Sequence, residues 1–426
     1  MYKKYGIEKT IKSLDGVFAF VLIDKTTDTI YAGRDPIGVR SLYIGTGEDA
    51  VVLGSEMKNL DRLCDDIIQF KPGSYISLNE SKLPKNTSKI EFHRYYHMVY
   101  KSIDSNEEII LNNIREKLDE SIEKRLLSDR PIGCLLSGGL DSSLITGLVS
   151  KKINSRIKTF SVGLEGAVDL EYARKVSEHL GTDHYEYILS IDDMFDAIPN
   201  IIKEIETYDI TTIRASTPMF LLSKYIKETS DITVLFSGEG SDEASGSYLY
   251  FHNAPDEKSF HDEIIRLMSD LSYFDVLRCD KSTAGAGLEV RVPFLDKGFL
   301  NYYLGLLPKF KLPCNYNMEK YLLRKAYDNT DLLPKDVLWR TKEGMSDGVS
   351  SQTKAWYEII QDKIDTIISD EEFETNRHKY THNTPKIKEA YYYRKIFEET
   401  FKDRSNILPY YWLPKWSGNI SDPSAR

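Results

Sequence analysis

The sequence predicts an α/β protein in which a parallel sheet with flanking helices follows a shorter antiparallel-sheet region. Three observations carry this prediction. Short strands punctuated by turns fill residues 16–80, apolar strands alternate with helices from residue 105, and a Gly/Ser-rich loop at 137–143 joins one strand to the next helix. The 426 residues exceed one typical core. The change of pattern divides them into 1–100 and 105–426.

In the first region, the apolar run Gly16–Asp24 reads as a strand and Lys25–Thr29 as a polar turn. Ile30–Gly33 is a second strand, Arg34-Asp-Pro-Ile-Gly38 a second turn, and Ser41–Ile44 and Gly73–Leu78 two further strands. The polar, turn-rich segment Asn79–Lys101 reads as a connector. Helical spacing then begins: Ile109, Ile110, Ile114, Leu118, Ile122 and Leu126 line one face of Glu107–Leu127. Strands at Pro131–Leu136, Ile157–Gly163, His184–Leu189 and Ile232–Phe236 alternate with helices at Ser142–Lys152 and Leu170–Leu180. Beyond residue 255 the pattern is mainly helical, most clearly at Asp262–Leu271 and Trp356–Ile368.

Composition narrows the function. A net charge of −10 and a pI near 5.5 argue against a nucleic-acid partner, which calls for a basic face. The longest apolar run, Gly16–Ile23, is too short to cross a bilayer, and the first residues lack the apolar core of a signal peptide. A cytoplasmic protein without a membrane partner is expected. Cys64, Cys134, Cys279 and Cys314 show no metal or disulfide spacing. The pairs His93/His97 and His378/His382 lack a nearby Glu in metalloprotease spacing and read as ordinary histidines.

The loop Ser137-Gly-Gly-Leu-Asp-Ser-Ser143 suits phosphate chemistry. Gly138 and Gly139 let the backbone approach oxygens, Ser137, Ser142 and Ser143 offer hydroxyls, and the following helix offers its N-terminus. Asp141 would repel a phosphate directly but suits Mg²⁺ bridging phosphate oxygens. With no Gly-Lys-Ser/Thr, the loop is not that of a γ-phosphate hydrolase. Ligands of parallel sheets bind beyond the strands' carboxyl ends. There Phe160-Ser-Val-Gly163 could read an adenine, and Ser237-Gly-Glu-Gly-Ser-Asp-Glu243 offers Glu239 as a functional carboxylate.

Together with Asp15–Phe20, Gly33–Gly38, Thr159–Leu164, Glu206–Pro218, Gly287–Asp296 and Arg340–Gly348, these segments make the chain resemble glutamine-dependent asparagine synthetases. The resemblance implies an incomplete N-terminal-nucleophile (class II) glutamine amidotransferase domain before an adenine nucleotide alpha-hydrolase-like ATP-pyrophosphatase domain. It also implies the chemistry. Aspartate is adenylated by ATP with Mg²⁺, pyrophosphate leaves, and ammonia displaces AMP from β-aspartyl-AMP to give asparagine. By the same resemblance Leu136 and Val162 contact the nucleotide and Ser237 and Gly238 line its pocket. Glu239 forms or uses the acyl-adenylate, Lys342 stabilises charge at the α-phosphate, and Asp141 and Asp275 serve the Mg²⁺-pyrophosphate. Thr211 and Arg214 are assigned to aspartate, because a guanidinium suits bidentate carboxylate recognition. A homodimer is compatible with this reading.

The sequence departs from the family pattern at its start. Tyr2 follows Met1 where the family has its nucleophilic cysteine, and the glutamine-binding Asn-Gly-Glu run is absent. The chain is therefore expected to use ammonia rather than glutamine, and residues 1–80 to be less stable than the rest. A β-lactam synthetase, with the same architecture, or a non-catalytic relative acting as a binding partner are the competing readings. Glu206–Pro218, Ser237–Glu243 and Lys342 favour the asparagine-forming one.

Overall fold

The computed structural model describes residues 1–79, 81–98, 100–341, 349–350 and 354–423. A helix that the sequence reading did not assign, α1 (Tyr2–Ser13), opens the chain and is kinked at Gly6. Strands β1 (Ala19–Asp24) and β2 (Thr29–Arg34) form the hairpin expected around the polar turn, with Asp24 opposite Thr29. β3 (Tyr43–Thr46) pairs with two strands the pattern did not reveal, β4 (Val51–Gly54) and β5 (Asp66–Gln69). β6 (Ser74–Asn79) completes the expected set. The segment read as a connector contains a further short strand, β7 (His93–Arg94), which pairs with β6. Two antiparallel sheets result, ordered β1-β2-β6-β7 and β4-β3-β5. β1 is an edge strand, and its Val21 and Ile23 are exposed.

The turn at 34–38 is built from two buried charges. Asp35 accepts the backbone N–H groups of Ile37, Gly38, Val39 and Arg40, and the Arg34 guanidinium donates to the carbonyls of Gly38, Arg40 and Phe70. Each charge is thus hydrogen-bonded to backbone, which is what makes its burial tolerable.

After a short helix α2 (Met57–Leu60), α3 (Glu107–Arg125) buries Ile110, Ile114, Leu118 and Ile122 at a spacing of four, while Ile109 points outward. A five-stranded, wholly parallel sheet follows, made of β8 (Ile132–Leu135), β9 (Lys158–Leu164), β10 (Asp183–Leu189), β11 (Val234–Phe236) and β12 (Glu289–Arg291). Its order is β10-β9-β8-β11-β12, so the chain leaves β8 to one side and later returns to the other. That reversal creates a crevice at the carboxyl end of β8. Helices α4 (Leu140–Lys152) and α5 (Val168–Leu180) share a core with α3, Cys134 and Phe236 on one face of the sheet. On the other face α7 (Ile210–Thr229), preceded by α6 (Ile191–Ile205), packs Leu222 and Ile226 against Phe160 and Leu235. The Trp356–Ile367 helix joins the core of α6 and α7, close to its expected span.

The antiparallel and parallel parts share one core. Tyr43, Met57, Leu60 and Ile67 pack with Ile198, Ile202 and Ile205 of α6. Polar ties reinforce the junction. Glu206, fully buried, accepts the N–H groups of Met57 at 2.8 Å and Lys58 at 2.7 Å, and pairs with the buried Lys281. Asp280 accepts the Ser41 N–H at 2.9 Å and pairs with Arg40. Removing one member of a buried pair leaves an uncompensated charge and costs about 3–5 kcal/mol. Lys281→Met should therefore lower unfolding free energy in urea by about 3 kcal/mol or more. The double variant Lys281→Met/Glu206→Gln should recover part of that loss. A loss below about 1 kcal/mol for the single variant would show that the junction does not depend on this pair.

Candidate active site

β8 ends at Leu135, and the chain turns through Leu136–Gly139 into α4. The turn requires glycine at position 138, where φ is +77° and a Cβ would lie 2.6 Å from the Tyr172 carbonyl carbon. Gly139 is the N-cap of α4, and no side chain caps the helix. Its first N–H groups and positive dipole end are therefore left for an anion. The Ser137 and Ser142 hydroxyls lie 3.0 Å apart, and Ser142 also accepts the Ser137 N–H at 3.2 Å. Ser143 is fully buried away from the pocket.

The loop after β11 closes over this turn. At Gly238 a Cβ would lie 2.7 Å from the Asp141 carbonyl carbon, so only a bare backbone allows the two loops to meet. The contact brings Ser241 onto Asp141, with the hydroxyl donating at 2.7 Å. It also places Asp242 opposite Asp141. Both carboxylates bond the ammonium of Lys320, which is almost fully buried.

A third wall comes from β9, which runs beyond the end of β8. The Phe160 carbonyl accepts the Leu136 N–H at 2.8 Å, and the Leu164 N–H reaches the Val349 carbonyl at 2.9 Å on the same side. Alternation along a strand turns the N–H and C=O of Val162, midway between them, to that side as well. The result is a backbone edge facing a slot between Leu136 and Val349, suited to reading the hydrogen-bonding edge of a planar base.

These walls enclose one pocket, lined by Leu136, Ser137, Gly139, Asp141, Ser142, Val162, Ser237, Gly238 and Glu239 among the residues singled out from sequence. In this lining Glu239 is paired with the buried Arg278, which also contacts Asp275 at 3.0 Å. Burial pushes the Glu239 carboxyl up to about 7, against the opposing pull of the Arg278 guanidinium and with Asp275 adding to the rise.

Three residues singled out from sequence do not line this pocket. Arg214 does not enter the pocket: its guanidinium is buried and held by Glu389 at 2.8 and 2.5 Å and by Asp422 at 3.3 Å. A charge so enclosed must be paired, and here its carboxylates come from its own chain. Thr211 also lies outside the pocket, its hydroxyl donating to Asp209 at 2.7 Å in the cap of α7. Asp275 meets Arg278, and the carboxylate that faces Asp141 is Asp242. Lys342 falls outside the described residues; Arg340 and Thr341, just before it, line the pocket.

Residues that sequence reasoning missed are Asp242, Arg278, Lys320 and Arg340. Arg340 lies 4.1 Å over the Tyr172 ring and donates to Asp169 at 2.9 Å, beside the glycine turn. Asp242 stood in a segment already marked as acidic, whereas nothing local distinguishes Lys320 or Arg278. Asp141 and Asp242 fit a Mg²⁺ ion that keeps waters and takes its remaining ligands from phosphates, since both supply hard oxygen at the anion-binding turn. Among the described residues no group of three or more His, Cys, Asp or Glu side chains is placed to hold a metal by itself. His382, one of the paired histidines, bonds the Leu408 carbonyl at 2.8 Å.

Comparison with known proteins agrees with this architecture. The family described as asparagine synthase matches residues 113–260 and 252–420, and the glutamine amidotransferase domain family matches residues 1–62. The glutamine-hydrolyzing asparagine synthetase of Mus musculus is 43% identical over an alignment 450 positions long, spanning 100% of this chain and 80% of that protein. Those of Homo sapiens and Gallus gallus are each 42% identical, with the same coverage. Matched by this family model over most of its length and 42–43% identical to these relatives from end to end, the chain belongs to the asparagine synthase family.

Proposed function

We propose that this protein is an asparagine synthetase, a ligase that joins ammonia to the β-carboxylate of aspartate at the expense of ATP. One observation carries the reading: a phosphate-binding turn, a base-reading backbone edge and a carboxyl group poised near neutrality line the same pocket. The antiparallel part, residues 1–100, and the synthetase part, residues 105–426, are proposed to be the two domains.

The nucleotide lies with its base against Val162 and its β- and γ-phosphates on the N-terminus of α4, which directs the α-phosphorus toward Glu239. Mg²⁺ held by Asp141 and Asp242 would offset phosphate charge as pyrophosphate departs. Arg340 adds fixed positive charge where negative charge develops, and the resemblance gives Lys342 the same role. An aspartate carboxylate oxygen bonds to the α-phosphorus and the bond to the bridging oxygen of pyrophosphate breaks, leaving β-aspartyl-AMP. The nitrogen of ammonia then bonds to the acyl carbon, a proton passes from nitrogen to Glu239, and AMP leaves with the bonding pair. A carboxylate titrating near 7 is a competent base at neutral pH and returns its proton readily. Arg278 is the guanidinium at this end of the pocket and takes the place once assigned to Arg214.

Ammonia is the nitrogen source proposed for the chain itself. Burial raises the thiol pKa of Cys64 and Cys279, and pushes that of Cys134 up to about 12. Burial outweighs the guanidinium of Arg404 near Cys64 and that of Arg278 near Cys279, so none of these three is an activated thiol of the kind amide hydrolysis needs. With aspartate, ATP and Mg²⁺, ammonium chloride should support asparagine formation and glutamine should not; equal turnover from glutamine would contradict the proposal.

The base role of Glu239 sets a pH dependence. Its carboxylate form is required, so asparagine formation should rise with pH through about 7. Arg278→Met removes the cation that favours the carboxylate and should move this rise upward by about 1–3 pH units. Glu239→Gln should lower turnover by at least about 100-fold at every pH. An Arg278→Met profile superimposable on that of the parent would remove Glu239 from the role of base.

A further inference from the structure

Lys320 is placed unusually for a lysine beside a phosphate site. Its ammonium does not meet the pocket as a free cation but bonds two carboxylates of the same lining, Asp141 and Asp242. The lysine side chain is 3% exposed, whereas those of Asp141 and Asp242 are 21% and 27% exposed. All three side chains line the pocket, and the ammonium is the most buried of them.

The backbone enforces this arrangement. Lys320 has φ of +55°, a left-handed conformation that a residue with a Cβ adopts at a cost, immediately before the helix Tyr321–Tyr327. Arg324 clamps the strained turn. Its guanidinium donates to the Glu319 carbonyl at 2.9 Å and the Leu338 carbonyl at 2.7 Å and pairs with the Glu319 carboxylate, and its own N–H reaches the Lys320 carbonyl at 3.1 Å. Strain held by four such bonds keeps the ammonium where it is.

The consequence is electrostatic. Two carboxylates alone would present a charge of −2 to a divalent cation, and the ammonium reduces the cluster to −1. Affinity of oxygen sites for hard cations follows ligand charge and number. Here the charge is halved, and among the described residues no third carboxylate, thiol or imidazole completes a metal cluster. We propose that Lys320 is a positioning residue that keeps Asp141 and Asp242 from binding a free divalent cation, so that the metal enters together with a polyphosphate. This rests on the phosphate-binding part of the function proposed above and not on the identity of the acyl substrate. A site built this way admits only the metal–polyphosphate complex and discharges metal and pyrophosphate together.

Mn²⁺ binding, followed by electron paramagnetic resonance on the full chain without aspartate or turnover, tests the proposal. The parent protein should bind free Mn²⁺ weakly, and inorganic pyrophosphate should tighten binding by at least about tenfold. Lys320→Met should bind free Mn²⁺ at least about tenfold more tightly than the parent, whereas Lys320→Arg, which keeps the charge, should not. Parent-like Mn²⁺ affinity in folded Lys320→Met would overturn the proposal. If that variant does not fold, the parent decides: tight binding of free Mn²⁺, unchanged by pyrophosphate, overturns it, and pyrophosphate-dependent binding supports it. Because no acyl transfer is measured, failure here is distinguishable from failure of the asparagine synthetase reading, which would show as absent asparagine.

Discussion

The contact between the α4 turn and Gly238 is the constraint on which the site depends. Two loops, a hundred residues apart in the chain, meet backbone to backbone where the parallel sheet reverses its order. Had Gly238 carried a side chain, its Cβ would meet the Asp141 backbone and the loops would part. Asp242 would then no longer face Asp141, and Glu239 would retreat from the phosphate-binding turn. Small residues in Ser137–Ser143 and Ser237–Ser241 are thus less about flexibility than about distance. They let two strand ends converge on a single set of oxygens.

Around that contact the charges are arranged in matched, buried groups. Lys320 holds Asp141 and Asp242, Arg278 holds Glu239 and Asp275, and Arg324 holds Glu319. A pocket for a tetraanionic nucleotide cannot simply be lined with free cations, because buried unpaired charge is costly. Pairing each cation with carboxylates resolves this, and it tunes the carboxylates in turn. Glu239 is the clearest case, with burial and Asp275 raising its affinity for a proton and Arg278 opposing them. The same logic operates far from the pocket, where Glu206 and Lys281 tie the antiparallel sheets to the parallel one.

How much of this was legible in the sequence depends on how local each signal was. The 137–143 loop could be read because strand, glycines, hydroxyls and helix are contiguous, and Ser237–Glu243 because it follows an apolar strand directly. The alternation of strands and helices gave the parallel sheet for the same reason. Strands β4 and β5, four residues each, carry too little periodicity to stand out, and α1 has a mixed polar face with a kink at Gly6. The pairing of Arg214 was not legible because its partners, Glu389 and Asp422, lie 175 and 208 residues away. Lys320 and Arg278 were missed for the converse reason: a lone lysine or arginine reads as a solvated surface charge until tertiary structure buries it. The turn at Arg34–Gly38 was read correctly as a turn, but its physical basis, a buried Asp35 collecting four backbone N–H groups, is visible only in three dimensions.

The central claim is that this pocket adenylates aspartate. Exchange of labelled pyrophosphate into ATP isolates that half-reaction, since it needs neither ammonia nor the second step. The account predicts exchange that requires Mg²⁺ and aspartate together. Exchange indifferent to aspartate, or nucleotide turnover that yields ADP and phosphate instead of AMP and pyrophosphate, would contradict it.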